Sequence, residues 1–464
     1  MLRRLSLVLA ILAVAAPGAA EAREWPDWLS PCRVARMCGT FDVPVDPADP
    51  AAGTIGLNVV VLPAGDGSVV PAGALVPIAG GPGGASTLMA DWADATFSSV
   101  TPRRDVVLVD QRGTGRSRPL FCPFPNLISS SSSPEEVRAY WLACLRETTF
   151  DPRRLTTAAA VDDLDALRAE LGYERLDLYG VSYGATVVQY FLLRHGDRVR
   201  TAILDGGTLL DVPVFERWAR VNQTMLDRLF RRCARQTACR RAFPSPGRDL
   251  RVVLARLDRA PARYRGRTIR RDDVANTIQQ LSRRPETAAH IPSILRRAAR
   301  DGVTSIVPAV AALVPESNPR PQVMSWAIQC SEPWARFDPA ETARLGRSTY
   351  LGPTMVRMAR SAEAVCSTLP PFEPVAGADR RVSSDVPMLV VVGGQDPQDP
   401  LENVAGVRDV MPNARVVVVR GAGHGAVNHG CADDLANAFV LSGSADGLDT
   451  RCAARAPLAP FVVP

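Results

Sequence analysis

A serine between glycines, set where a strand gives way to a helix, constrains the fold of this chain more than any other feature. Gly180-Val181-Ser182-Tyr183-Gly184 follows an apolar run over 176–181 and precedes an amphipathic run over 185–193. A nucleophile in that position needs a strained, tight turn. Flanking glycines let strand and helix pass closely while the serine oxygen stands at the strand's carboxyl end.

The surrounding pattern agrees with an α/β fold. Short apolar runs over 55–62, 74–78, 105–110, 176–181 and 202–205 predict strands buried on both faces of a mostly parallel sheet. Val161, Leu164, Leu167 and Leu171 recur at helical spacing, which predicts a crossover helix. Ser133, Pro134, Glu135 and Glu136 close a serine-rich loop, 129–133, with the cap, first-turn proline and acidic first turn of a helix start. After Asp205 the chain becomes arginine-rich and helical without clear strands. Phe215, Trp218, Met225, Leu229 and Phe230 share one helix flank, and Val274, Ile278 and Leu281 another. Strand pattern returns over 388–392 and 416–419. These late strands are too few for a core of their own, so the expected organisation is one sheet interrupted by a helical cap. The boundaries are 1–22 for a signal peptide, 23–207 for the first part of the core, 208–375 for the cap, and 376–464 for the rest of the core with a C-terminal tail.

The 22% of charged residues and net charge of +6, without a basic run, exclude a nucleic-acid partner. Residues 1–22 have Arg3 and Arg4, an apolar run over 5–16 and a small-residue site at Ala20-Glu21-Ala22, which predicts export to the periplasm or beyond. A membrane span needs ~20 apolar residues, so stable insertion is not expected after cleavage. Ten cysteines in an exported chain favour disulfides. They fall into neighbouring couples: Cys32 with Cys38, Cys122 with Cys144, Cys233 with Cys239, Cys330 with Cys366, and Cys431 with Cys452. The nearest thing to a metal set, His424, His429 and Cys431, lacks the spacing of a zinc site. No metal and no cofactor is implied, and nothing in the chain specifies an oligomeric state.

Ser182 needs a base, and the chain has 4 histidines. His195 and His290 sit in or after helices without a companion motif. His424 lies in Gly421-Ala422-Gly423-His424-Gly425 after the strand at 416–419, a loop able to deliver an imidazole, whereas His429 lacks glycines on both sides. The acid should follow the preceding strand in the order Ser, Asp, His, which selects Asp396 over Asp399. Asp396 would hold the His424 tautomer and stabilise its imidazolium. Two backbone N–H groups should receive the developing oxyanion. Tyr183 supplies one, and Gly81 of Ala79-Gly80-Gly81-Pro82-Gly83-Gly84 the other, since Pro82 has none to donate.

Gly80-Gly81-Pro82-Gly83, Asp110-Gln111-Arg112-Gly113-Thr114-Gly115-Arg116-Ser117, Gly180 to Gly184, Asp396-Pro397 and Gly423-His424 together resemble the proline iminopeptidase and tripeptidyl aminopeptidase family of α/β-hydrolases. The segments 38–46 and 431–452 resemble its secreted tripeptidyl branch. Two positions depart from the family pattern: Ala79 stands where cytoplasmic members carry His, and Asp399 where Thr often precedes the proline. The resemblance implies an aminopeptidase cleaving N-terminal residues or short peptides. It also makes Glu332, two residues after Cys330, the candidate acceptor for the substrate α-ammonium. Asp110 and Arg112 are read as braces of their own loop. Because fold and triad alone do not choose a substrate, an esterase or amidase on small acyl compounds is the alternative, and a non-catalytic binding protein the minor one.

Overall fold

Short runs of valine, leucine and isoleucine, each too brief to be a helix and bounded by turns, assemble into one sheet. The computed structural model describes residues 23–65, 71, 73–122, 132–148, 151–313, 322–336 and 338–463. The signal-peptide run 1–22, and residues 129–131 of the serine-rich loop, lie outside them. The strands are β1 (Leu29–Arg33), β2 (Arg36–Pro44), β3 (Thr54–Leu62), β4 (Gly73–Ile78), β5 (Asp105–Val109), β6 (Arg175–Val181), β7 (Val199–Asp205), β8 (Ala262–Tyr264), β9 (Arg267–Ile269), β10 (Met388–Gly393) and β11 (Ala414–Val419). The main sheet has 9 strands in the order β1-β2-β3-β5-β4-β6-β7-β10-β11. From β5 to β11 every pairing is parallel, while β1, β2 and β3 form an antiparallel edge joined to β5.

Alternation within the strands explains their nearly unbroken apolar character. Leu178, Leu204, Val390 and Val392 face one cluster with Val161, Leu164, Val187 and Val188. Tyr179, Ile203, Leu389 and Val391 face the other with Phe97 and Phe439. Both faces are therefore covered by helices, as parallel sheets require. The crossover helix is Thr157–Glu170 and the helix after Ser182 is Tyr183–His195. Ser133 caps Pro134–Glu147: its hydroxyl accepts from the Glu136 N–H while the Glu136 side chain accepts from the Ser133 N–H.

Between β7 and β10 the helices Val214–Arg235, Pro246–Arg259, Arg271–Ser282 and Ile291–Asp301 enclose their own cluster around Leu226, Leu254, Ile278 and Leu295. Two features differ from the sequence reading. This region contains the hairpin β8–β9, whose strands are 3 residues each and too short for a period-2 signal. The segment Gln322–Ser331 with Trp334 and Ala335 joins the sheet-side cluster through Val323, Met324, Ala327 and Ile328 instead of the cluster of the other insertion helices. The C-terminal tail also crosses over: Phe461 packs in the insertion cluster, 4.2 Å beneath the Arg232 guanidinium.

Disulfides join Cys32–Cys38, Cys122–Cys144, Cys233–Cys239, Cys330–Cys366 and Cys431–Cys452. No helix among the described residues is long and apolar enough to cross a membrane. Mass spectrometry of the unreduced protein is expected to recover these five links and no free thiol. Replacing Cys431 and Cys452 by serine should lower stability by about 2–3 kcal/mol, read as a lower urea midpoint with unchanged slope.

Candidate active site

Ser182 stands between β6 and its helix at φ 58° and ψ −124°, a region that costs a non-glycine residue ~1–3 kcal/mol. Its N–H donates to the Asp205 carbonyl at 2.9 Å, and its carbonyl accepts from the Ala185 N–H at 2.8 Å. The glycines around it are required by backbone proximity. A Cβ on Gly180 would lie 2.2 Å from the Gly184 carbonyl oxygen, and one on Gly184 2.3 Å from that of Ile78. A Cβ on Gly80 would lie 2.9 Å from Ser182 Cβ, so the glycine loop after β4 runs against the serine. Gly81 follows in that loop with φ 141°, and Tyr183 opens the helix on the other side. The helix Gln322–Ser331 braces the loop through Ser325 Oγ, which donates to the Pro82 carbonyl at 3.1 Å.

His424 arrives from the loop after β11. Its N–H donates to the Arg283 carbonyl at 2.9 Å, and the next turn is pinned by Asp205, whose carboxylate accepts from Ala426 at 2.6 Å and Val427 at 3.1 Å. Nδ1 lies 3.0 Å from Asp396 Oδ2. That contact places the Nδ1 proton toward Asp396 and leaves Nε2 as the acceptor, 3.1 Å from Gln398 Nε2. Asp396 is fully buried, and its Oδ1 accepts from the N–H groups of Gln398 at 2.8 Å and Asp399 at 3.1 Å.

Asp399 is close to the same imidazole, with Oδ2 3.5 Å from Nδ1 and Oδ1 accepting from the Thr208 hydroxyl. Burial pushes its carboxyl up, the His424 charge opposes this, the Asp396 charge adds to it, and the result is about 6. Asp396 goes the other way. Burial raises it, but the His424 charge and hydrogen bond, with the two backbone N–H donors, bring it below the ordinary carboxylate value. At His424 burial lowers the imidazole pKa, while Asp396 and then Asp399 outweigh it, so the net shift is upward from 6.5. Asp396, Asp399 and His424 are the three ligand-type side chains that come within 4.8 Å of one another among the described residues. Both carboxylates of that cluster also accept internal hydrogen bonds, Asp396 from backbone N–H groups and Asp399 from a hydroxyl.

The other histidines lie in different settings. His195 bonds Asp162 at 2.8 Å, His290 precedes the helix Ile291–Asp301, and the His429 N–H donates to the Ala426 carbonyl in a turn. Arg112 makes two bonds to Asp163, at 2.7 and 2.6 Å, and donates to the Pro44 and Val45 carbonyls. Asp110 accepts from Asn58, Thr87 and Arg116. Glu332 is 2% exposed. Its Oε1 accepts from the Thr157 N–H at 2.9 Å and its Oε2 from Trp334 Nε1 at 2.6 Å. Burial, opposed by those donors, brings this carboxyl up to about 7.

Gln398 and Asp205 also belong to the site, and neither is marked by the sequence. Gln398 Nε2 lies 3.1 Å from His424 Nε2 and 3.4 Å from Ser182 Oγ. Its place in the tract Asp396-Pro397-Gln398-Asp399-Pro400 was a signal of proximity only. Asp205, the last residue of β7, carried no motif.

Residues 73–427 match the alpha/beta hydrolase fold family. The chain belongs to that family. It is 29% identical over 215 residues to a tripeptidyl aminopeptidase of Streptomyces coelicolor, covering 42% of this chain and 39% of the relative. It is 28% identical over 261 residues to the serine protease Hip1 of Mycobacterium tuberculosis, covering 49% and 48%. The matched region thus spans less than half the length of those relatives. The solved proline iminopeptidase of Mycobacterium smegmatis is similar at 15% identity and a TM-score of 0.40, over 87% of this chain and 98% of that one.

The raised His424 predicts that covalent labelling of Ser182 by a fluorophosphonate weakens as pH falls through a midpoint above 6.5. Asp399→Asn removes one of the charges holding that value up, so the midpoint should move to lower pH. Labelling rates across a pH series check both.

Proposed function

We propose that this α/β-hydrolase is an exported serine hydrolase of the aminopeptidase type, prolyl or tripeptidyl, acting on N-termini of peptides. The observation that carries the catalytic part is His424 Nδ1 at 3.0 Å from the buried Asp396, with Ser182 held at positive φ beside the glycine loop. Ser182 Oγ attacks the carbonyl carbon while its proton passes to His424 Nε2. The oxyanion is received by the N–H groups of Tyr183 and Gly81. As the C–N bond breaks, Nε2 returns the proton to the leaving nitrogen, and water hydrolyses the acyl-enzyme by the same base. Residues 23–207 and 376–464 are read as the catalytic core and 208–375 as the inserted cap. Five disulfides and the apolar run at 5–16 support a secreted or periplasmic setting.

The peptidase part is supported by the printed names of the relatives and by Glu332, a buried carboxylate that could offset a desolvated α-ammonium. One observation favours a second reading, a carboxylesterase or amidase on small acyl substrates: both Glu332 oxygens already have internal donors, Thr157 and Trp334.

Ser182→Ala is expected to abolish turnover and fluorophosphonate labelling with the melting transition retained. His424→Ala should be comparably severe and His429→Ala mild; near-wild-type turnover in Ser182→Ala would end the assignment. Glu332→Gln separates the two substrate readings. For a free-amine peptide amide kcat/KM should fall by about two to three orders of magnitude, the cost of leaving a buried charge unpaired, while an ester without an amine is unaffected. Equal losses on both substrates would make Glu332 a structural residue, and the esterase reading would then be preferred.

A further inference from the structure

In acyl transfer the departing nitrogen must lie beside the nucleophile oxygen it is leaving and within hydrogen-bond reach of the base that protonates it. The atom in that position here is Gln398 Nε2, itself an amide nitrogen, 3.1 Å from His424 Nε2 and 3.4 Å from Ser182 Oγ. We propose that the Gln398 carboxamide occupies the leaving-group place of the resting site and is displaced by the substrate, so that Gln398 governs the leaving-group side of the reaction. This rests on the Ser182–His424–Asp396 reading and deepens it.

The backbone under this side chain is fixed. The Gln398 N–H donates to Asp396 Oδ1 at 2.8 Å, the Pro397 carbonyl accepts from Asn222 Nδ2 at 3.0 Å, and Asp399 is tied to Thr208. The Thr208 hydroxyl in turn accepts from Asn403 Nδ2 at 2.9 Å. One residue therefore contacts all three members of the proposed triad, its main chain on the acid and its side chain on the base and nucleophile. Because the Nδ1 proton faces Asp396, the Nε2 lone pair must receive a donor, and the carboxamide NH₂ supplies it. The Ser182 hydroxyl cannot hand its proton to the same lone pair until the carboxamide turns away. Gln398 is 9% exposed, and its carboxamide nitrogen sits within hydrogen-bond distance of both His424 Nε2 and Ser182 Oγ, the room a leaving group would need.

Labelling by a fluorophosphonate tests this directly. In that step the Oγ–P bond forms, the P–F bond breaks with loss of fluoride, and the hydroxyl proton goes to His424 Nε2. Gln398→Met keeps the volume without a donor, and Gln398→Ala empties the place. Both should raise the second-order labelling rate constant by about threefold to tenfold, the equivalent of one hydrogen bond. Gln398→Glu should lower it, since a carboxylate there pairs with the imidazolium and withholds the free base. Gln398→Ala should also gain more in kcat/KM on a substrate whose leaving amine is a further amino acid than on a methyl ester of the same acyl group. A merely structural Gln398 would slow all three variants together, and slower or unchanged labelling in the Met and Ala variants overturns the proposal, as does an equal gain on both substrates. If folded wild-type protein is not labelled at all, the triad reading fails, and the proposal with it; that outcome is distinct from labelled wild type with indifferent variants.

Discussion

A serine held at φ 58° returns to an ordinary conformation unless its neighbours leave no room for one. Here the opposition comes from backbone pressed on backbone. β6 and its helix approach so closely that Gly180 and Gly184 tolerate no Cβ, and the Gly80 loop closes the third side. The first turns of the helix, Tyr183 to Leu192, are buried along their whole length, so the turn cannot relax by lifting the helix away. The local strain is offset by the packing of both sheet faces. It gives a hydroxyl whose position is set before any substrate arrives.

Three buried carboxylates then share the carboxyl edge of the sheet, and their donors separate their roles. Asp205 accepts two backbone N–H groups and the Tyr179 hydroxyl at 2.8 Å, and none of its bonds is to the imidazole ring. Its work is to fix the loop carrying His424. Asp396 also accepts two backbone N–H groups, but its second oxygen meets Nδ1, and its lowered pKa keeps the negative charge there. Asp399 has a hydroxyl instead of backbone donors and takes a proton more readily. Backbone donors cannot rotate away, whereas a hydroxyl can reorient, so charge is held more firmly on Asp396 than on Asp399.

What could be read from sequence was what periodicity encodes. The strands β4 to β7, β10 and β11 are apolar on both faces, and their runs were visible within a residue or two of their bounds except at β7, which starts at Val199. β1 is exposed beyond Leu29 and β2 is mostly half-buried or exposed, with Pro31, Cys32 and Gly39 interrupting any alternation, so nothing marks them as strands. Ser182, Asp396 and His424 come together because each follows a recognisable strand. Gln398 and Asp205 act through positions that depend on how loops fold back, information absent from any local pattern. Glu332 is a similar case: its spacing from Cys330 was visible, but its burial against the sheet side of the molecule arises from Val323, Met324 and Ile328 packing there.

That burial bears on how a terminus could be read. Glu332 accepts from the N–H of Thr157, in the first turn of the helix Thr157–Glu170, where the helix dipole favours negative charge. The Thr157 hydroxyl lies 2.7 Å from that of Tyr183, the residue whose N–H would receive the oxyanion. Burial pulls this carboxyl toward the acid, up to about 7, while the Thr157 and Trp334 donors pull it toward the anion. An ammonium brought beside it would complete the anion's partners and expel the proton. Under the aminopeptidase reading, an ammonium at Glu332 would favour its ionised form, and Thr157 is the residue that touches both this carboxylate and the Tyr183 side chain. A substrate without an amine would draw nothing from this part of the site.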